Sequence, residues 1–264
     1  MAAAASTTLF PLSVSELESE LNKEIQRDRY GMTLKKDKRI RSSIYSTSLK
    51  HSIQIEPDMG EIARNVKKDV WDQHKKAWGY AIDNISKNMA YDEKDLVVIS
   101  KFLAPNINTS ILTGFRKYDA QIVGSSHEPV DPSKISAEIN YLIHSVQSFK
   151  SPLEKAIYSH YHLARIHPFE DGNGRTSRMV QDSLLWGAGY LSPAINVHQR
   201  DLYLEILNAT DKQYKEGDKE YLHLFSQFIV EGIKENLDHY KKTIKIPKSK
   251  KKKSESAKSP YYEK

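Results

Sequence analysis

Two helix signals face each other across the twelve residues His167-Pro168-Phe169-Glu170-Asp171-Gly172-Asn173-Gly174-Arg175-Thr176-Ser177-Arg178, and no other stretch restricts the fold of this chain as tightly. On the N-terminal side, Ser151-Pro152-Leu153-Glu154 reads as a capping box with proline at the first helical position, which predicts a helix from about Ser151 to Ile166. On the C-terminal side, Met179, Val180, Ser183, Leu184, Gly187 and Ala188 recur at three- and four-residue spacing, which predicts a second helix from near Gly174 to about Gly189. The run is therefore a loop opening into a helix N-terminus. First-turn N–H groups and the positive dipole end favour an anion there by about 0.3 to 1 kcal/mol per charge, and phosphate oxygens fit that position.

The side chains of the run match such a ligand. Gly172 and Gly174 can take positive φ and let a phosphate approach the backbone. Arg175 and Arg178, three apart, each offer a planar donor fork. Asp171 is a hard oxygen ligand suited to Mg²⁺ shared with a nucleotide, and His167 suits proton abstraction from a hydroxyl near neutral pH. A bare Gly-Asn-Gly turn with solvated arginines would explain the glycines, but not the base and acid beside them. The run lacks the Gly-Lys-Ser/Thr ending of a P-loop, so an ordinary NTPase site is excluded.

These residues resemble the Fic family of protein nucleotidyltransferases, whose pattern His-Pro-Phe-x-Asp/Glu-Gly-Asn-Gly-Arg-x-x-Arg is matched at every specified position. The resemblance implies an all-α, mainly helical Fic fold with a short β-hairpin flap. It also implies transfer of AMP from ATP to a Ser, Thr or Tyr hydroxyl of a protein target. In family terms His167 is the base and Asp171 the Mg²⁺ ligand, Gly172, Asn173 and Gly174 cradle the phosphates, and Arg175 with Arg178 clamps them. Relatives with lysine in place of the second glycine shift towards phosphorylation, and Gly174 argues against that. The resemblance leaves three alternatives standing: another nucleotide, removal of AMP, or a catalytically silent nucleotide-binding regulatory module.

Three further stretches resemble family elements. Gly114-Phe115-Arg116 and Tyr118 to Gly124, followed by a Ser/Pro-rich turn, look like the flap; Tyr118, Ala120 and Ile122 alternate with Asp119, Gln121 and Val123, as in a short exposed strand. Such an edge would dock a target by β-augmentation. Ser52-Ile53-Gln54-Ile55-Glu56-Pro57 resembles the N-terminal class of inhibitory helix, in which Glu56 pairs with Arg178 and holds the enzyme off. Pro57 departs from the Gly or Asn of that signature and disfavours helix at Glu56. Asp201 to Asn208 resembles the helix that closes over the base, with Tyr203 near the ring or in the core.

The rest of the chain is read as helical. A capping box at Ser15-Glu16-Leu17-Glu18 starts a helix to about Arg29 with Gly31 as a stop, and Asp58-Met59-Gly60-Glu61 looks like another start. One long amphipathic helix follows through Ile62, Val66, Val70, Trp71, Trp78, Ala81 and Ile82, its tryptophans assigned to the core. Further helices are expected over Asp92 to Leu103, Ser136 to Phe149 and Glu220 to His239. His160 and His162 fall on different helix faces and suit shared metal ligation poorly.

This divides the chain into an N-terminal helical region over 1–90, a catalytic core over 91–240 and a basic tail over 241–264. The tail holds ten lysines against two glutamates, +8 of a whole-chain charge of +6, so the rest carries about −2 and shows no nucleic-acid footprint. The 264 residues include no cysteine, which excludes disulfides, thiolate zinc sites and a cysteine nucleophile. No apolar run reaches the roughly 18 residues of a membrane span. The expectation is a cytoplasmic protein, or one delivered into a host cell, with ATP and a protein as partners. A homo-oligomer is compatible with this, and self-modification is open to a chain with 15 tyrosines, Tyr261 and Tyr262 among them.

Overall fold

The computed structural model describes residues 13–27, 38–55, 68–104, 114–193 and 195–243. Its centre is the helix pair that the sequence signals point to. Helix α6 (Pro152–Ile166) starts at Ser151, whose Oγ accepts from Glu154 N at 2.9 Å, and α7 (Asn173–Ala188) ends at Gly189 in the left-handed conformation. Both ends follow the chemistry of the sequence, with Pro152 at the first turn and glycine beyond the last.

Around this pair stand α1 (Val14–Arg27), α2 (Lys38–Gln54), α3 (Lys68–Ala81), α4 (Glu93–Leu103), α5 (Ile135–Ser148), α8 (Arg200–Lys215) and α9 (His223–Thr243). Helix α7 packs against α2, α3, α4 and α6, which is why it is buried on almost every side. Its spacing of apolar residues suggests one buried face, yet Thr176, Ser177, Gln181, Asp182 and Ser183 are buried too. Local back-bonds satisfy part of this polarity: Ser177 Oγ donates to Gly174 O and Ser183 Oγ to Val180 O.

Several expectations shift in detail. The first cap is Ser13 rather than Ser15, with Ser13 N donating to Glu16 Oε2 at 2.7 Å and Glu16 N to Ser13 Oγ at 3.3 Å. The Asp92 start is a full capping box with Asp95. The long third helix does not run on through Ile82, because Ile82–Ser86 winds into a π-helix. Gly187 of α7 lies against that turn, and a Cβ there would stand 2.5 Å from Ser86 O. The last helix starts at His223 and runs to Thr243, past the expected tail boundary at residue 240. The sequence reading assigned no helix to Lys38–Gln54 as a whole. It is anchored by Tyr45, which is fully buried, stacks on Trp78 at 4.8 Å and donates to Tyr190 O at 2.9 Å.

The expected β-hairpin flap does not form among the described residues, which contain no strand. Residues 116–122 run as irregular chain into a turn in which Ser125 N donates to Ile122 O at 3.0 Å, with Gly124 at φ 83°. The physical reason is Arg116. Its guanidinium takes the carbonyls of Tyr118 (2.8 Å) and Val130, acceptors that a two-stranded ladder would have filled with amides. Gly31, the Asp58 start, Glu56, Pro57 and the tail with Tyr261 and Tyr262 lie outside the described residues.

Candidate active site

His167 terminates α6 in the left-handed conformation, φ 53° and ψ 56°, which a non-glycine residue adopts only when its surroundings hold it. The hold is visible. His167 N donates to Leu163 O at 3.1 Å, and its own carbonyl accepts from Arg116 Nε at 2.7 Å, while Arg116 N donates to Pro168 O at 2.9 Å. Arg116 is nearly fully buried and ties the loop before Val130 to the chain at His167; the sequence reading quoted it within the flap but gave it no role. His167 Nδ1 lies 3.3 Å from Ala164 O, an atom that can only accept, so Nδ1 carries a proton there.

The loop beyond is closed by Asn173, whose side chain both accepts from Phe169 N and donates to Phe169 O, each at 2.8 Å. Asn173 thus shapes the cradle with its side chain and is among the residues that line it. Gly172 has φ 78°, which explains its glycine: a Cβ would meet nothing closer than 3.6 Å, so conformation rather than space decides. Gly174 corrects the expectation of two positive-φ glycines, since it sits inside the first turn of α7 with ordinary helical backbone. No side chain caps this N-terminus, which leaves its first amides to a ligand.

The two arginines of the run part company. Arg175 Nη1 donates to Leu103 O and Nη2 to Asp171 Oδ1, each at 2.8 Å, and Arg175 is absent from the lining of the cavity described below. Arg175 thus ties Asp171 to the end of α4. Arg178 does line the cavity, only 6% exposed, with Nε donating to Ser52 Oγ at 2.9 Å and Nη2 to Ser52 O at 3.1 Å. Arg200, which the sequence reading passed over, donates from Nε to Ile55 O at 2.9 Å and lines the same cavity. Carbonyls at a helix C-terminus lack intrahelical partners and carry negative partial charge, so the end of α2 is a natural occupant for two arginines.

The cavity holds about 240 Å³ and joins these groups in one space: His167, Glu170, Asp171, the Gly172-Asn173-Gly174 backbone, Arg178, Arg200 and Ile55 at one part, Ile122, Tyr203, Leu204, Leu207 and Asn208 among the others. Of the proposed flap residues Gln121, Ile122 and Val123 line it; Tyr118 is 77% exposed and Ala120 half-buried. Tyr203 is at once wall and core. It is 4% exposed, and its hydroxyl meets His160 Nε2 at 2.9 Å, while His160 Nδ1 meets Gln181 Oε1 at 2.7 Å. The glutamine oxygen can only accept, so Nδ1 carries the proton and Tyr203 donates to Nε2; burial pushes the His160 pKa down to about 3, which keeps the ring neutral. His162 is likewise spent on the Tyr221 hydroxyl at 2.8 Å, so neither histidine is placed for a metal.

Asp171 is the single carboxylate of the run with a task, its Oδ1 accepting from Gly172 N at 2.6 Å and its side chain 37% exposed at the cavity wall. No group of three or more His, Cys, Asp or Glu side chains able to hold a metal exists among the described residues. That donor set does not suit an ion held by protein alone. It suits Mg²⁺, which keeps several waters and commonly takes one or two carboxylates plus substrate phosphates.

The Fic/DOC family pattern matches residues 90–185, which span α4 to α7 and the whole loop just described. Residues 90–185 are thus similar to a Fic domain. Among curated relatives, the protein adenylyltransferase Fic of Aedes aegypti is 32% identical over 160 residues, covering 59% of this chain and 30% of that protein. The protein of the same name from Drosophila grimshawi is 27% identical over 222 residues, covering 77% and 44%. The chain thus spans between about a third and a half of the length of these relatives. Among solved structures, a Fic family protein from Desulfovibrio desulfuricans superposes with a TM-score of 0.66 over 91% of this chain and 77% of that one, at 17% identity. Fic-1 from C. elegans gives 0.63 over 87% and 71%, also at 17% identity. At such identity the two structures show the shared fold, here mainly helical and without strands among the described residues.

Proposed function

We propose that the chain is a protein adenylyltransferase that moves AMP from ATP to a hydroxyl side chain of a protein and rests in an autoinhibited state. The observation that carries the reading is the convergence of His167, the uncapped α7 N-terminus and Arg178 on one cavity within the Fic-like region. In this reading the α7 amides and Arg178 bind the phosphates and stabilise the charge that develops in the transition state. His167 Nε2 takes the proton of the attacking hydroxyl, whose oxygen forms a bond to the α-phosphorus as the bond to pyrophosphate breaks. A positioned base of this kind contributes about 10² to 10⁴-fold. Asp171, braced by Arg175, would hold Mg²⁺, which when bound neutralises phosphate charge.

The inhibited state is supported by what the arginines do. Arg178 and Arg200 are both engaged by the C-terminal end of α2, and a 240 Å³ cavity is smaller than the roughly 300–1,000 Å³ of ordinary ligand pockets. Glu56 follows Ile55 directly in sequence, which supports its reading as the inhibitory acid. Removing it frees Arg178 for phosphate in this account. The test is the intact mass of the Glu56→Gly protein after incubation with Mg-ATP, beside the same protein carrying His167→Ala. A gain of one AMP unit, absent from the His167→Ala control, is the expected result. No gain together with no calorimetric binding of ATP would overturn the reading, and binding without any transfer would favour a silent nucleotide sensor.

A further inference from the structure

At the wall of the cavity formed by α8, a buried cluster joins the irregular segment after Arg116 to the catalytic helix. His127, 8% exposed, lies on that segment, and His127 Nε2 stands 2.9 Å from Arg165 O, two residues before His167. Its other nitrogen, Nδ1, stands 2.9 Å from Asp211 Oδ1 on α8, at ion-pair distance although its N–H points off the line of a hydrogen bond. Both ring nitrogens face oxygens that can only accept, one on α6 and one on α8. Asp211 in turn takes Lys215 Nζ on Oδ2 at 2.8 Å and has Arg165 Nε at 3.4 Å from Oδ1. Burial pushes the Asp211 carboxyl up, but Lys215 and His127 outweigh it and hold it below the ordinary carboxylate range. Two residues before His127, Ser125 Oγ donates to Asn208 Oδ1 at 2.6 Å, a second tie between the segment and α8.

We propose that His127 and Asp211 form a latch that fixes the target-docking segment 118–127 against α6 and α8, so that an acceptor hydroxyl held by that segment is presented to His167. His127 is a positioning residue here, acting through Arg165 O and Asp211 rather than on the reacting atoms. The physical case is that the segment has no strand ladder to hold it. Its backbone is carried by Arg116 at one end and by Ser125 and His127 at the other, with Tyr118 and Val123 exposed between them at 77% and 65%. Losing the His127 end leaves a half-anchored loop, and misplacement of a bound nucleophile by about 1 Å can cost about a hundredfold in rate. The inference rests on the adenylyltransferase reading for its functional half and on geometry alone for its structural half.

The experiment compares amide hydrogen exchange and incorporation of labelled AMP into the protein itself, in the Glu56→Gly background, for His127→Ala, His127→Gln and Asp211→Asn. Exchange over residues 118–127 is expected to quicken about tenfold in His127→Ala and Asp211→Asn while residues 179–186 of α7 stay protected. His127→Gln, which keeps a donor for Arg165 O, is expected to fall between. Transfer should drop at least about tenfold where the segment is freed. Unchanged exchange over 118–127 overturns the latch, and so does loosening that spreads equally into α7, which would mark a merely structural cluster. A freed segment with undiminished transfer overturns the positioning role. If the Glu56→Gly parent transfers no AMP and binds no ATP, the adenylyltransferase reading fails by itself and the exchange data still decide the latch.

Discussion

Single residues in this fold hold functional geometry by being spent on other atoms. His167 is oriented by Nδ1, which is turned to Ala164 O, and it keeps a left-handed backbone because Arg116 grips its carbonyl. Asp182 shows the same economy at a deeper level. It is buried within α7, accepts from Ser192 Oγ at 2.9 Å and from Gln181 Nε2 at 3.4 Å, and burial pushes its pKa up to about 7, against partial relief from Ser192, Gln181 and Arg178. A carboxyl whose folded value exceeds the unfolded value of 3.8 favours folding below that value and loses the contribution as pH rises towards 7. Asp182→Asn keeps an acceptor for Gln181 and a donor for Ser192 without the ionisation. It is expected to melt above the parent at pH 8 by a few degrees and near it at pH 4; scanning calorimetry at both values checks this, and equal melting temperatures at pH 8 would refute it. None of that was legible in the sequence, where Asp182 is one acid within a helical period. That His167, Asp171 and the Gly172-Asn173-Gly174 turn share one cavity was legible because they lie in contiguous residues. Arg116, Arg200 and His127 were not, because each acts on a carbonyl or carboxylate from a distant part of the chain, and a backbone carbonyl leaves no mark in composition or spacing.

At the scale of elements, caps and termination signals located α6, α7 and α4 within about a residue, since those signals act over one turn. What failed was pairing and continuity. The flap reads as a strand by alternation, but a strand also needs a neighbour to donate and accept, and the Arg116 guanidinium occupies two of the acceptors, Tyr118 O and Val130 O. The third helix reads as continuous to Ile82, but helical period cannot show that α7 presses a glycine against its end. Gly187 is that contact, where an added Cβ would stand 2.4 Å from Met89 Sδ and 2.5 Å from Ser86 O. The sulfur can swing aside; the carbonyl belongs to the π-turn and cannot. Ser86 Oγ also donates to Ser183 O at 2.6 Å, so a shift of the turn strains that bond as well. Gly187→Ala should therefore destabilise by about 1–3 kcal/mol despite alanine's better helix propensity. Urea unfolding of the variant measures it, and a stabilised protein would show that the turn gives way at no cost.

Among the described residues one buried core spans both sides of residue 90. Leu17, Leu21 and Ile25 of α1 belong to the same buried cluster as Leu153 and Ile157 of α6 and Phe225 and Ile229 of α9. Polar contacts cross the same boundary: Tyr190 Oη donates to Glu18 Oε1 at 2.9 Å, and the Ser151 hydroxyl that caps α6 donates to Glu18. A helix held only by an apolar stripe can fray alone, but α1 also completes the cap of the helix that delivers His167, so its loss is transmitted to α6. Leu21 is fully buried at the middle of that contact. Leu21→Ala should cost about 2–5 kcal/mol, the range for a large aliphatic side chain removed from a packed core. The expected form of that loss is a single thermal transition moved to lower temperature, with helix signal and core fluorescence falling together. Two separated transitions, with the tryptophans of α3 and α7 unaffected by the first, would mean that α1 is an independent flap on a self-sufficient domain; coincident loss would mean that stability at α1 and geometry at His167 are set by one cooperative unit.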